Sequence, residues 1–166
     1  MRTFLAISLP LVLADGVTKA LAVSGLQPPH QPHPILGDWF RLTLAFNQQG
    51  AMGLVLGAWS RPVLAAAAAV ALAALGVMLS RTRPADRWRA AAVGLLAAGA
   101  AGNLWDRVRS SRGVVDFIDL GAGGIRFYTF NVADAALTVG ALLLAAVLWR
   151  TDAAARRPPR PERSAE

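Results

Sequence analysis

A chain of 166 residues is long enough for one domain, and at 55% hydrophobic with only 16% charged residues it is too apolar for an ordinary soluble fold. Composition therefore points to a membrane protein, and the absence of cysteine excludes disulfides, thiol nucleophiles and thiolate metal sites. The net charge of +7 does not indicate nucleic acid, because the arginines gather beside apolar runs instead of forming one basic stripe.

The first apolar segment, Thr3 to Val23, contains Asp15 and Lys19. A leading Arg2 and the small residues of "ALAVSG" also fit a cleaved secretory signal. The internal charge pair and the further apolar runs that follow favour a retained helix, kinked at Pro10. Asp15 and Lys19 stand four residues apart with the acid first, the favourable direction for an intrahelical pair. Their simplest role is mutual neutralisation; support of a nearby site is the alternative.

Next, "GLQPPHQPHPILGDWF" is too rich in proline for regular helix, whereas "WFRLTLAFN" alternates like a strand. A small extracytoplasmic sheet or platform is expected here. His30 and His33 in "HQPH" are expected to be solvated loop residues and not metal ligands. The runs Val63 to Leu79 and Ala90 to Leu104 then approach the roughly 20 residues that cross a hydrocarbon core, joined by the short loop "RTRPADRWR". Their Ala and Gly content permits close helix approach. The third span is expected to end near Trp105, with a glycine-containing connector over Asp106 to Phe130, and the fourth to run from Val132 to Trp149. Residues 1–150 are then one membrane domain, and 151–166 a basic, disordered cytoplasmic tail lying near anionic headgroups. In this arrangement Arg2, the four loop arginines (Arg81, Arg83, Arg87, Arg89) and Arg150, Arg156, Arg157, Arg160 and Arg163 make ten on one side. Arg41, Arg61, Arg107, Arg109, Arg112 and Arg126 make six on the other, so both termini are expected to be cytoplasmic.

Charge inside a span is expensive, and it collects at two places. One is Asp15 with Lys19. The other is "GNLWDRVRSSRGVVDF" with "FNVAD", which brings Asn103, Asp106, Arg107, Asp116, Asn131 and Asp134 to the adjoining ends of the third and fourth spans. Asp116 and Asp134 can then face each other. Two close carboxylates resist double ionisation and share a proton, so one accepts a proton from water while the other donates to a carbonyl. Such a pair hydrolyses an amide with neither metal nor nucleophilic side chain. A bland reading stands beside it: Asn131 with Asp134 is close to a helix capping box, and Asp116 with Arg112 would make a surface ion pair. Ser110 and Ser111 have no histidine in their segment, and "GAGG" has no Lys-Ser/Thr pair to make a phosphate loop.

Taken in order, "DGVTK", "LTLAFNQQGAMGL", "GNLWDR", "GVVDFI" and "FNVADAALTVG" resemble the signature blocks of the lipoprotein signal peptidases, also called signal peptidase II. The resemblance covers about Asp15 to Gly140. It implies an all-α membrane protein of four transmembrane helices with a small extracytoplasmic β-like platform, lying in the bacterial inner membrane with its site toward the extracytoplasmic side. The implied activity is an aspartyl endopeptidase that cuts diacylglyceryl-modified prolipoproteins before the lipidated cysteine, using no cofactor or metal. By the same resemblance Asp116 and Asp134 are the catalytic pair, and Asn47, Asn103, Arg107 and Asn131 bind substrate. Asp15, Lys19 and Asp106 support the site. Implied partners are the lipid-modified prolipoprotein, membrane lipids and globomycin-like inhibitors, with no nucleic acid. The chain departs from the family pattern at Gln49, where a glycine is usual, and at Met52, where an aromatic is usual; Gly50 follows Gln49 directly. Asp119 is expected to be a solvated loop residue, and Gly121 to Gly124 candidate hinges. The competing readings are a non-enzymatic membrane scaffold or small transporter, and a headgroup transferase that would need a divalent ion.

Overall fold

The computed structural model describes residues 1–49, 57–122 and 124–156. Gly50, Met52, Gly123 and residues 157–166 of the tail lie outside the described residues. Four helices, α1 (Arg2–Gly25), α2 (Ser60–Ser80), α3 (Arg87–Arg109) and α4 (Val132–Ala155), make up most of the chain. Strands β1 (Pro32–Leu36), β2 (Phe40–Asn47), β3 (Val114–Ala122) and β4 (Ile125–Arg126) form one antiparallel sheet in that spatial order.

Helices α1, α2 and α4 are long and apolar enough to cross a bilayer, and most of their surface faces outward. α3 is as long but less apolar, because its contacts are with protein. It packs against each of the other three helices through a small-residue surface that buries Ala90 to Gly94 and Ala98 to Ala100, and then Gly102, Asn103 and Asp106. Its glycines are points of close approach. Gly94 meets the backbone of Phe4, and Gly102 has no room for a methyl group beside the carboxylate of Asp15, so α1 and α3 run parallel. Gly99 abuts Ala133 and Leu137 while Gly140 abuts Leu95 and Leu96, so α3 and α4 run antiparallel.

Helix ends have local causes. Pro28 and Pro29 stop α1, since neither can supply a helical amide. Within α1, Pro10 is accommodated and the helix continues through it. α3 starts at Asp86, whose side chain accepts a bond from the Arg89 amide at 3.1 Å. Its last turn persists beyond Trp105 to Arg109, where the Arg61 guanidinium of α2 donates to the carbonyls of Arg107 (2.6 Å) and Val108 (3.2 Å). Asp106 is therefore a helical residue and not the first of a connector. α4 runs on to Ala155 and so takes in the first five residues expected to belong to the tail.

The platform corrects the expectation that a single segment builds it. β2 pairs with β3, placing Asn47 opposite Val114, Ala45 opposite Asp116 and Arg41 opposite Asp119. Half of the sheet thus comes from the stretch expected to be connector. "VVDFIDL" does not alternate because nearly all of it is buried, which removes the period of two. Leu44, Val115 and Phe117 pack with Ala22 of α1, and this small core seats the sheet on the end of the bundle. Gly113 makes the sharp return from α3: its φ is +94°, and a Cβ there would strike the carbonyl of Asn47. His33 is half-buried in β1 with its Nε2 shielded from solvent, not solvated as expected, whereas His30 is exposed.

Candidate active site

The site lies where the end of α3, the start of β3 and the start of α4 meet. Asp116 comes from β3 and is 2% exposed. Asp134 stands in the first turn of α4. Asn131, wholly buried, joins them: its Nδ2 donates to Asp116 Oδ1 at 2.7 Å and its backbone amide to Asp134 Oδ2 at 3.2 Å. In return the Asn131 side-chain oxygen accepts from the Asp134 amide at 2.9 Å. This is the reciprocal capping box read from the sequence. The same cap that starts the helix therefore also holds one carboxylate and reaches the other.

The remaining carboxylate oxygens are also held. Asn47, at the end of β2, donates to Asp116 Oδ2 at 3.2 Å, and its own side-chain oxygen accepts from the Gln49 amide at 3.0 Å. Asn103 of α3 donates to Asp134 Oδ1 at 2.8 Å. Arg112 does not pair with Asp116; it lies over the ring of Phe46, 4.2 Å from its centroid. Among the described residues, no salt bridge neutralises Asp116 or Asp134. Arg107 is half-buried within electrostatic reach of Asp134, Asp116 and Asp106, and its Nη1 donates to the carbonyl of Asn103 at 3.2 Å.

Burial first, and then the charge of Asp134, push the Asp116 carboxyl up to about 7 against the opposing bonds from Asn47 and Asn131. A carboxyl so placed carries a proton near neutrality.

Beneath it lies a second polar layer. Lys19 is 4% exposed and directs its ammonium at Asp15 (2.7 Å), Asp106 (2.9 Å) and Asn103 Oδ1 (3.2 Å). Each partner leads outward. Asp15 Oδ1 accepts from the Ala133 amide in the first turn of α4 at 2.9 Å, Asp106 Oδ2 from the Val115 amide next to Asp116 at 3.2 Å, and Asn103 holds Asp134. The pair Asp15–Lys19 is consequently more than self-neutralising.

Asp119 corrects the expectation of a solvated loop residue. It is 5% exposed on β3, and its oxygens accept from Arg41 Nε (3.1 Å), Thr43 Oγ1 (2.8 Å) and Arg126 Nε (2.9 Å). Burial acts to raise its carboxyl, but the bonds from Arg126, Thr43 and Arg41 outweigh it and hold the group below its ordinary value. It belongs to the sheet and not to the carboxylate pair. The part of Arg61 in closing α3 was also invisible in the sequence, since a lone arginine before an apolar run carries no mark of its partner 46 residues on.

Fold and site together define a helical membrane protein with paired carboxylates at one end of its bundle. Residues 7–150 match the family described as signal peptidase (SPase) II. Lipoprotein signal peptidases of Pseudomonas fluorescens (36% identity, 89% of this chain and 88% of the relative), Pseudomonas aeruginosa strain PAO1 (37%, 89% and 88%) and Mycobacterium avium strain 104 (35%, 87% and 77%) align along most of the chain. A solved bacterial membrane enzyme, obtained by the in meso method at 2.3 Å, superposes with a TM-score of 0.84 at 27% identity, covering 98% of this chain and 96% of that one. A second, at 1.9 Å, gives 0.78 at 29% identity over 89% and 93%. The chain belongs to the signal peptidase II family and is a membrane peptidase.

Proposed function

We propose that this peptidase removes the signal peptide of diacylglyceryl-modified prolipoproteins, cutting before the lipidated cysteine with a water molecule activated by Asp116 and Asp134. Family membership supports removal of signal peptides from prolipoproteins. The observation that carries the finer reading is that one wholly buried residue, Asn131, binds both carboxylates from one position.

Asp116 holds the shared proton and Asp134 is the base. Asp134 takes a proton from water as the oxygen attacks the scissile carbonyl, while Asp116 gives its proton to the carbonyl oxygen. The tetrahedral diol then collapses. Asp134 returns its proton to the leaving nitrogen, Asp116 recovers one from the diol hydroxyl, and the pair is ready again with one proton. Asn47 and Arg107 stand at the rim to bind substrate backbone, with Asn103 and Asn131 holding the carboxylates in register. Asp15, Lys19 and Asp106 support them from below.

In this reading α3 is a fourth span, shielded from lipid by the other three. The membrane is the bacterial inner membrane, both termini are cytoplasmic, and the sheet and carboxylates face the extracytoplasmic side. Exposed tryptophans support the two boundaries: Trp59 and Trp105 at the carboxylate end, Trp88 and Trp149 at the other. Residues 1–150 act as one domain, and globomycin-like peptides would occupy the substrate site. The test is the purified protein with a synthetic lipidated prolipoprotein peptide. The expected product begins with the lipidated cysteine, and Asp116→Asn and Asp134→Asn each abolish its formation. Full turnover by either variant would refute the mechanism.

A further inference from the structure

The sheet presents apolar side chains where a water-facing platform should be polar. Ile35 (51% exposed), Leu36 (51%), Trp39 (56%), Ile125 (81%), Phe127 (66%) and Tyr128 (69%) all stand out from it. They lie together. The β1–β2 turn and the end of β3 are neighbours, since the Gly121 amide donates to the Trp39 carbonyl at 3.0 Å, and Phe127 returns beside β3 with its amide on the Leu120 carbonyl at 2.8 Å. Contiguous apolar surface of this kind marks a contact.

We propose that these paired hairpin tips are an interfacial lipid-binding surface, inserted among the headgroups and upper acyl chains of the leaflet on the carboxylate side. Three observations choose lipid as the occupant. The patch is continuous with the membrane boundary, because only Thr129 to Asn131 separate Tyr128 from the first residue of α4, an apolar span. Trp39 and Tyr128 are the residue types that settle at that boundary, and Trp59 and Trp105 are exposed at the same end of the bundle. Lastly, the charges around the tips are closed upon one another. Arg41 bonds Asp38 and Asp119, and Arg126 bonds Asp119 and the Asp38 carbonyl, two cations against two anions. Pairing lowers the cost of bringing them into a layer of low polarity, and it leaves no net charge to recognise an acidic or basic protein.

A platform held at its tips as well as at its helical root lies along the membrane surface, so β3 presents Asp116 at the depth of the headgroups. The inference needs α1, α2 and α4 to span the bilayer and does not depend on the peptidase chemistry.

The experiment uses the full chain in vesicles of phosphatidylcholine and phosphatidylglycerol, with Trp59, Trp88, Trp105 and Trp149 replaced by phenylalanine so that Trp39 alone emits. Acyl chains brominated near the headgroup should quench Trp39 by roughly half or more, with aqueous iodide having little effect. A second chain, with Trp39→Phe and Phe127→Trp added, should behave alike and guards against a local effect at residue 39. Quenching by iodide without quenching by brominated lipid would place the tips in water and overturn the proposal. Protection from both quenchers would mean that protein covers them, which overturns it equally. Neither readout depends on turnover, so a failure here leaves the peptidase reading intact, and the reverse also holds.

Discussion

Asn131 shows how one side chain can serve two purposes without compromise. Its carboxamide caps α4 and bonds Asp116 in the same conformation, so stability and alignment of the site are linked at one position. Asn131→Ser keeps a hydroxyl acceptor for the Asp134 amide but removes the buried Nδ2 from Asp116, the Val115 carbonyl and Asn103. Stability should therefore fall by about 1–3 kcal/mol, and in the proposed mechanism turnover should fall steeply as well. A thermal melt beside a turnover assay checks both. Asp116 has the opposite character, since burying a carboxyl against a neighbouring charge opposes folding. Its carboxyl sits near 7 in the folded chain against 3.8 ordinarily, so over that window the folded state binds more protons than the unfolded one. Stability should therefore fall as pH rises from about 4 to about 7. Asp116→Asn should remove most of that slope and leave the inactive protein more stable at pH 8, by a gain of the order of 1–4 kcal/mol. In the proposed mechanism turnover should decline above about pH 7, where Asp116 loses its proton.

At the scale of elements, the sequence disclosed what is local and hid what depends on a distant partner. The apolar runs gave the helices, and β2 was legible because it is half-buried over nearly its whole length and polar residues still alternate with apolar ones in "FRLTLAFN". β3 was not legible, because burial on both sides leaves a run without period. Asp119 was misread for a related reason: Arg41 and Thr43 lie 78 and 76 residues away, and only the β2–β3 register brings them to it. The ordered motif blocks, by contrast, named the residues of the carboxylate site, since their identity does not depend on knowing the strand between them. Two variants test the element packing. Asp119→Asn leaves two arginines facing an amide, and the sheet should lose about 1–3 kcal/mol with helical content unchanged. Amide exchange along β2 and β3 reads this directly; unchanged protection would return Asp119 to the status of a surface residue. Gly102→Ala drives a methyl group against the Asp15 carboxylate, so α1, α3 and the first turn of α4 cannot all keep their places. About 1–3 kcal/mol of stability and most turnover should go, whereas Gly76→Ala, with open space around it, should melt at or above the wild-type temperature.

Viewed whole, the molecule is a helical bundle with a small sheet seated on one end, and the two carboxyl groups lie where bundle and sheet meet. Lys19 ties these parts together, since its three partners reach α4, β3 and Asp134 by one further bond each. The chemistry proposed for this assembly rests on a single proton held between two side chains from different elements. That proton can be followed. The carboxyl carbon of Asp116, observed by NMR with isotopic labelling in the detergent-solubilised protein, should titrate with a midpoint near 7, and Asp134→Asn should move the midpoint down toward the ordinary carboxyl range. A midpoint near 4 that does not respond to Asp134→Asn would mean that the two groups do not sense each other, and would contradict a shared proton.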